Sequence, residues 1–271
     1  MTATSSHKEI MPYQYLKTFF SARELLWAWT SRTIQARYKQ SILGGLWAII
    51  QPAARALLLT VIFTKFIPVD TGAVPYVIFS YVAMVPWMFF STSITDMVEC
   101  LVNNMNLVSK IYFPREVLPV AALLARLFDL VIASVLMLLL MIYYHMQIFT
   151  LQWLFIPVIL VIQIALTLGL GLIGAALNVF YRDVYHLFAF VLQLLFYAVP
   201  IIYPVSKVPE SIRDIYMLNP ISAIIEAYRS VILHNQLPGI ELVRAIPIAL
   251  LLLLIGYWLF KRLEFYFADV I

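Results

Sequence analysis

The sequence has few charged residues and one cysteine. Charged residues make up 12 % of the 271 residues, hydrophobic residues make up 63 %, and the mean hydropathy is +0.93. A soluble globular domain has ~25 % charged and ~45–50 % apolar residues. The composition therefore indicates an integral membrane protein. The only cysteine is Cys100, so an intrachain disulfide is excluded and the redox compartment stays undetermined.

Motifs for catalysis and for nucleotide binding are also absent. There is no G-x-x-x-x-G-K-[ST], so the chain cannot hold ATP phosphates by itself. The four histidines are scattered, without an H-E-x-x-H pair or a metal-like cluster, and no nucleophile elbow occurs. We therefore expect no cofactor, no metal and no catalytic residue in this chain. The net charge of +4 does not indicate nucleic acid, because the basic residues flank apolar runs.

The apolar runs predict the fold. Alternating ten-residue segments, typical of an outer-membrane barrel, are absent, and a helical span needs ~20 mostly apolar residues. Five good candidates and one shorter one satisfy this. They run from about Leu46 to Ile67, Val74 to Ile94, Val117 to Tyr143, Trp153 to Val179, Leu187 to Tyr203 and Ala245 to Phe260. The prediction is an all-α integral membrane protein whose residues 46–271 form the transmembrane domain. Residues 1–45 form a cytoplasmic N-terminal part.

Basic residues predict the orientation in the membrane. Eleven lysines and arginines lie before the first span, between spans two and three, between spans four and five, and after the last span, whereas five lie on the other side. Positive charge favours the cytoplasmic side, so both termini are expected in the cytoplasm. On that topology the charged stretch NLVSKIYFPREVLPV, residues 106–120, is cytoplasmic.

Two further segments are neither spans nor ordinary loops. Residues 13–41 mix Leu and Trp with Arg and Lys, which predicts an amphipathic helix in the cytoplasmic interface; a helix packed on protein is the alternative. Residues 207–239 are too apolar for a solvated loop and predict two short re-entrant helices that turn near Asn219–Pro220. A seventh full span is the alternative there.

Charges inside or near spans need an explanation. Arg55 either lines a polar cavity or reaches back to the interface. Arg126 and Asp129 are three residues apart in the third span, and so are Glu226 and Arg229 in the re-entrant region, so each pair is predicted to share a helix face as a structural ion pair. Gly169, Gly171 and Gly174 in the fourth span predict close helix packing.

Aromatic residues make up 15 % of the chain. Most aromatics in a membrane protein lie at the interface or in packing, but an aromatic face also stacks on the C–H face of a sugar ring. Together with Arg55, the candidate residues for lining a conduit are Tyr81, Trp87, Phe89, Phe90, Phe196 and Tyr197.

Several motifs then converge in order. They are R-x-x-Q-x-R-Y-x-x-S-I-L-G from Arg32, N-L-x-x-K-I-x-F-P-R-x-x-L-P from Asn106, N-V-F-Y-R-D-V from Asn178, P-I-I-Y-P from Pro200, and N-P at Asn219. In this order and spacing the chain resembles the permease subunit of type-2 ABC exporters for polysaccharides, most of all the O-antigen exporter permease of Wzm type. Teichoic acid and capsule exporters are related. The resemblance covers about Gln35 to Lys261.

The resemblance implies a bacterial inner-membrane protein with six spans, an interface helix before the first, and two re-entrant helices before the last. It implies a homodimer that binds two copies of an ATPase subunit, which holds ATP and Mg²⁺. The implied substrate is a glycan on a polyprenyl diphosphate, moved out of the cytoplasm. The element at about residues 96–115 is implied to be the coupling helix.

The residues of the coupling element also suit docking on a soluble partner. A helix that docks on a soluble partner must be polar on its exposed side, and Pro114 and Pro119 disfavour helix in the preceding residue. The expected coupling residues are Asn106, Lys110, Phe113, Pro114, Arg115, Arg182 and Asp183. The alternatives are a membrane-embedded enzyme of lipid-linked glycan synthesis and a passive channel or secondary carrier. The first would need acidic or histidine residues in a cavity, and the second fits poorly because the spans show no repeats.

Overall fold

A computed structural model describes residues 23–39, 41–111 and 113–267, and these residues form helices and connecting turns without a β-strand. We number the α-helices in chain order. They are α1 Arg23–Tyr38, α2 Trp47–Val61, α3 Tyr76–Asn103, α4 Met105–Lys110, α5 Val117–Tyr143, α6 Ile156–Phe180, α7 Asp183–Tyr197, α8 Glu210–Met217, α9 Pro220–Ile232 and α10 Ile240–Leu263. A π-helical turn, Ile62–Phe66, extends α2. The predicted all-helical fold is confirmed for this part of the chain.

Five helical segments of the described chain are long and apolar enough to cross a membrane. They are Gly44–Phe66, Tyr76–Asn103, Val117–Tyr143, Leu151–Phe180 and Ile240–Tyr266. The predicted fifth span, 187–203, corresponds to α7, which has 15 residues and ends before Pro200. At 1.5 Å per residue it is ~22 Å long, shorter than the ~30 Å hydrocarbon core. The chain is therefore a multi-pass membrane protein, and its described residues contain five helices of full spanning length and the shorter apolar helix α7.

Two helices are longer than the spans predicted within them. The second span was predicted to end near Ile94 and the coupling element to begin near residue 96, but α3 continues to Asn103. The helix can carry Asp96 past the apolar run because two arginines neutralise this carboxylate. The last span was predicted over 245–260, whereas α10 also includes Glu241 and Arg244. Apolar runs mark the lipid-compatible part of a helix, and hydrogen bonding continues beyond it.

The core of the protomer is built around α3. This helix packs against α2, α5, α6, α7 and α9, and most of its side chains are buried. One hydrophobic cluster surrounds its first two-thirds and includes α9. A second cluster surrounds its last turns and includes the ends of α6 and α10. The central position of α3 means that few of its side chains reach a surface.

The predicted close packing at the small residues of α6 is present at a crossing with α10. A Cβ added to Gly169 would lie 2.6 Å from the backbone C of Leu252, and one added to Gly256 would lie 2.3 Å from the backbone O of Gly169. Gly171 and Gly174 instead meet the side chains of Met97 and Val98 on α3. Two glycines thus allow α6 and α10 to touch backbone to backbone.

The two special segments are helical in the described residues. The N-terminal part of the predicted interface helix, residues 13–22, lies outside the described residues; α1 begins at Arg23 and packs along α5. Its Trp29 packs into the second cluster, whereas Trp27 is 73 % exposed. Residues 207–239 contain the two short helices α8 and α9, and the turn between them lies at Asn219–Pro220, where the Asn219 side chain accepts from the N–H of Ile221 at 3.3 Å.

Candidate functional site

A groove with a volume of about 630 Å³ runs between α2 and α7 on the surface of the protomer. Trp87 and Ser91 of α3 form its floor, and Arg55 lies on its α2 wall. Phe196 and Tyr197 lie on its α7 wall; the Trp87 and Phe196 rings are 5.9 Å apart, and those of Phe196 and Tyr197 are 5.2 Å apart. The groove therefore combines adjoining aromatic faces with one guanidinium group. Such faces bind the C–H face of a ring, and a guanidinium group binds anions.

Four of the seven predicted conduit residues line this groove, namely Arg55, Trp87, Phe196 and Tyr197. The other three are at most 3 % exposed, and none of them lines it. Tyr81 donates from its hydroxyl group to the carbonyl of Ala133 at 3.0 Å, and Phe89 and Phe90 pack inside the two hydrophobic clusters. Sequence reasoning selected them because it could not show which face of a fully buried helix points to a surface.

The charged stretch between α3 and α5 presents a short polar helix. Asn106, Ser109 and Lys110 of α4 are exposed, while Val108 on the opposite side is buried. Phe113, which was predicted as a coupling residue, is 9 % exposed and packs in the second hydrophobic cluster. In this stretch, the predicted coupling residues with exposed side chains are therefore Asn106 and Lys110 of α4.

Arg115 was predicted to meet a partner, but the structure engages it within the chain. Its backbone N–H donates to Glu264 Oε1 at 3.3 Å, and its guanidinium group donates to the backbone carbonyl of Glu264. The same group lies over the Phe267 ring at 5.9 Å from the centroid. Arg115 therefore joins residues 106–120, which we call the coupling stretch after the role predicted for them, to the end of α10. No sequence signal pointed to this, because the partners are about 150 residues apart.

The second predicted contact, Arg182 and Asp183, lies at the start of α7, and both side chains are exposed. The Asn178 that opens this motif has a packing role. Its side-chain amide donates to the carbonyl of Val98 at 2.9 Å and accepts from the N–H of Tyr185 at 3.2 Å. Asn178 thereby fixes the turn that presents Arg182 and Asp183.

Arg126 and Asp129 belong to a network of four charges at one end of the spans. Arg126 lies 3.2 Å from Asp129, as the spacing predicted, and makes two shorter bonds to Asp96 at 2.7 and 2.9 Å. Arg37 of α1 reaches both carboxylates, at 2.8 Å to Asp96 and 2.6 Å to Asp129. Tyr38 donates to Asp129 at 2.5 Å. Burial, followed by this hydrogen bond, raises the pKa of Tyr38 to about 12, so that it stays a donor at neutral pH.

Arg229 forms the predicted ion pair with Glu226 and has closer partners as well. Glu226 is 3.8 Å away, whereas the guanidinium group donates to the carbonyls of Pro200 and, at 2.8 Å, Ile201. The group is 1 % exposed and stacks 3.6 Å from the centroid of Phe79. Arg229 therefore holds the turn that follows α7, at the end of the groove.

Sequence reasoning missed a buried polar chain beside α3. Gln163 donates to the carbonyl of Pro86 at 2.8 Å, and Tyr228 donates to Gln163 at 3.0 Å. Pro86 has no backbone N–H, so this turn of α3 lacks one helical hydrogen bond. A proline inside an apolar run was the sequence signal that could have pointed to this site. Within residues 23–39, 41–111 and 113–267, no three histidine, cysteine or acidic side chains come together as a metal site.

These features define a multi-pass helical membrane protein with an aromatic groove and a small polar helix between two spans. The family model described as "ABC-2 type transporter" matches residues 24–233. The chain belongs to the ABC-2 type transporter family, and the resemblance seen in the motifs is confirmed.

Named relatives extend the similarity over nearly the whole chain. The O-antigen export system permease protein RfbA of Myxococcus xanthus is 31 % identical over 94 % of this chain and 98 % of its own length. An O-antigen export system permease protein RfbA of Klebsiella pneumoniae is 28 % identical, covering 92 % and 95 %. The polysialic acid transport protein KpsM of Escherichia coli is 24 % identical, covering 86 % and 91 %.

Proposed function

We propose that this chain is the transmembrane permease subunit of an ATP-driven exporter of polysaccharides. The observation that carries the proposal is the exposed polar helix α4, held between two spans in a chain of the ABC-2 family. The chain has no P-loop sequence of its own. A separate ATPase subunit, which holds ATP and Mg²⁺, supplies the energy by docking on α4.

The proposed membrane arrangement has six spans. α7 with the following residues to 203 serves as the fifth of six spans, and α8 and α9 dip into the outer leaflet without crossing it. Almost every side chain of α9 is buried, which suits a segment covered by protein at membrane depth. Both termini and α4 face the cytoplasm of a bacterium, and the six spans lie in its inner membrane. Two copies of this chain and two ATPase subunits form the complete exporter.

The groove supports a glycan as substrate. The rings of Phe196 and Tyr197 offer faces on which sugar rings stack without directional bonds, and Arg55 suits the diphosphate of a polyprenyl-linked glycan. Trp87, which is 3 % exposed, supports the Phe196 ring from below. The relatives named for O-antigen export make an O-antigen-like glycan the first candidate. A capsule or teichoic acid glycan is the second candidate, because a relative is named for polysialic acid transport.

Docking on α4 is tested by purifying the chain from its native membrane in mild detergent. An ATPase subunit should co-purify with the natural chain and be lost from the double variant Asn106→Ala, Lys110→Ala. Lys207→Ala, on the proposed outer side, is the matched control and should retain it. Absence of any ATPase from the natural chain would reject the proposed function and favour the enzyme or carrier alternatives.

The groove is tested on α7, where two exposed aromatic residues differ in position. Tyr197 is 62 % exposed and lines the groove, whereas Phe190 is 59 % exposed and does not. Tyr197→Ala should reduce the glycan on the cell surface by about tenfold, which corresponds to one stacking contact. Phe190→Ala should leave it unchanged. Equal export by the two variants would remove the α7 wall from the path.

A further inference from the structure

A cluster of charges joins the coupling stretch to the far end of the chain. Lys261, near the end of α10, lies 2.7 Å from Glu116 and 2.9 Å from Glu264. Glu116 directly precedes α5 and is 5 % exposed. Glu264 also accepts from the backbone N–H of Arg115. We call Arg115, Glu116, Lys261 and Glu264 the C-terminal clasp.

Apolar packing seats the clasp on the body of the protein. Phe267 is 0 % exposed, and its ring lies 5.5 Å from Phe260 and 6.0 Å from Phe180. Val108 and Phe113 of the coupling stretch belong to the same buried cluster. The coupling stretch therefore rests directly on the ends of α6 and α10 as well as on the start of α5.

The clasp is suited to transmit displacement because its ends are fixed. Glu116 is the residue directly before α5, and Lys261 lies in the last turn of α10. Removing one partner of a buried ion pair leaves an uncompensated charge, so such pairs resist separation. On the other side, α10 is in backbone contact with α6 at Gly169 and Gly256. Close-packed interiors have low compressibility and transmit strain, so a displacement of α10 is passed on to α6.

We propose that the C-terminal clasp carries the movement of α4 into the α6–α10 pair, with Lys261 as its central positioning residue. This inference rests on the proposed function, since it needs an ATPase that moves α4. The coupling stretch then drives two groups of helices: α5 through the chain itself, and α6 with α10 through Lys261. In this proposal the last span, α10, moves together with α6 when the ATPase displaces α4.

The test compares variants of the complete exporter in lipid nanodiscs and in cells. Lys261→Met removes the ammonium group and keeps an apolar stem, and Lys261→Arg keeps a charge. Arg262→Met is the matched control, because it removes one positive charge from the neighbouring, exposed position. Three quantities are measured: co-purified ATPase, phosphate released from ATP, and glycan on the cell surface.

Lys261→Met should keep the ATPase and its hydrolysis but lower surface glycan by about tenfold, within the range of coupling changes at positions remote from a ligand. Lys261→Arg and Arg262→Met should export normally. Normal export by a Lys261→Met complex would overturn the clasp while leaving docking on α4 in place. Loss of the ATPase from the natural chain would instead overturn the proposed function.

A double-mutant cycle separates the clasp from a general loss of stability. Glu116→Gln keeps the shape of Glu116, and it also serves if Lys261→Met fails to accumulate in the membrane. If Glu116 and Lys261 act as one unit, Glu116→Gln alone lowers export and the double variant exports no less than the more affected single variant. Multiplying losses, or normal export by Glu116→Gln, would contradict the inference.

Discussion

The crossing of α6 and α10 allows a prediction whose sign is decided by geometry. In an open helix interior, Gly→Ala stabilises by up to ~1 kcal/mol, because alanine loses less backbone entropy on folding. At Gly169, however, an added Cβ would lie 2.6 Å from the backbone C of Leu252 and 2.6 Å from the backbone N of Leu253. Ordinary carbon contacts need ~3.5 Å or more, so the two helices would have to separate by about 1 Å.

No side-chain rotation relieves this contact, because the atoms that meet the Cβ belong to a helix backbone. Overpacking a core typically costs about 1–3 kcal/mol, and a backbone clash belongs at the upper end. After subtraction of the propensity gain of ~1 kcal/mol, we expect Gly169→Ala to destabilise the protein by about 2 kcal/mol. Gly171→Ala is the matched control on the same helix, since its Cβ meets Sδ and Cε of the flexible Met97 side chain at 2.4 Å.

The measurement is thermal unfolding of the purified chain in one detergent, followed by near-ultraviolet circular dichroism. Gly169→Ala should unfold at a clearly lower temperature than the natural chain, and Gly171→Ala should lie between the two. A Gly169→Ala chain as stable as the natural protein, or more stable, would show that α6 and α10 are not in backbone contact. It would also remove the structural link on which the α6–α10 pair depends.

Three further substitutions test other parts of the structure. Arg229→Lys should lower the free energy of unfolding by about 2 kcal/mol, because an ammonium group lacks the planar fork that spans the carbonyls of Pro200 and Ile201; an unchanged unfolding temperature would contradict this. Asp96→Asn should lower the free energy of unfolding by about 3 kcal/mol, because it removes the carboxylate shared by Arg37 and Arg126. Limited proteolysis within α1 measures this: the variant should be cleaved faster than the natural chain, and equal cleavage rates would contradict the prediction. Tyr81→Phe should lower the free energy of unfolding by about 1 kcal/mol, because it removes the hydrogen bond to the Ala133 carbonyl, and should leave surface glycan unchanged. Reduced export at unchanged stability would instead indicate that Tyr81 lines the glycan path.

Much of the fold could be predicted because a bilayer constrains both length and composition. The third predicted span, 117–143, has the same bounds as α5, since a long apolar run flanked by polar residues determines where such a helix lies. The two short helices were predicted because residues 207–239 are too apolar for a solvated loop. Their turn lies at Asn219–Pro220 as predicted, where an asparagine suits a helix cap and a proline suits the first turn. The predicted fifth span, 187–203, contains only a short helix, because α7 ends at Tyr197 and prolines follow at positions 200 and 204.

The ion pairs show where local spacing stops being informative. A separation of three residues places Arg126 beside Asp129 and Arg229 near Glu226 on any helix. Local spacing says nothing about partners on other helices. Asp96 provides the shorter bonds of Arg126, and two backbone carbonyls provide those of Arg229.

The sequence by itself determined that this chain is a helical membrane protein, where most of its spans lie, and, through its ordered motifs, which family it belongs to. These properties depend on composition, on short-range periodicity and on motif order, all of which are local. Only the tertiary structure decided that Tyr81, Phe89 and Phe90 are core residues while Trp87 borders the groove. All four lie on α3, and the sequence does not show which of its faces is covered by other helices. Only the tertiary structure also brought Arg115 and Glu116 to Lys261 and Glu264, since contacts between distant segments depend on how the helices pack together.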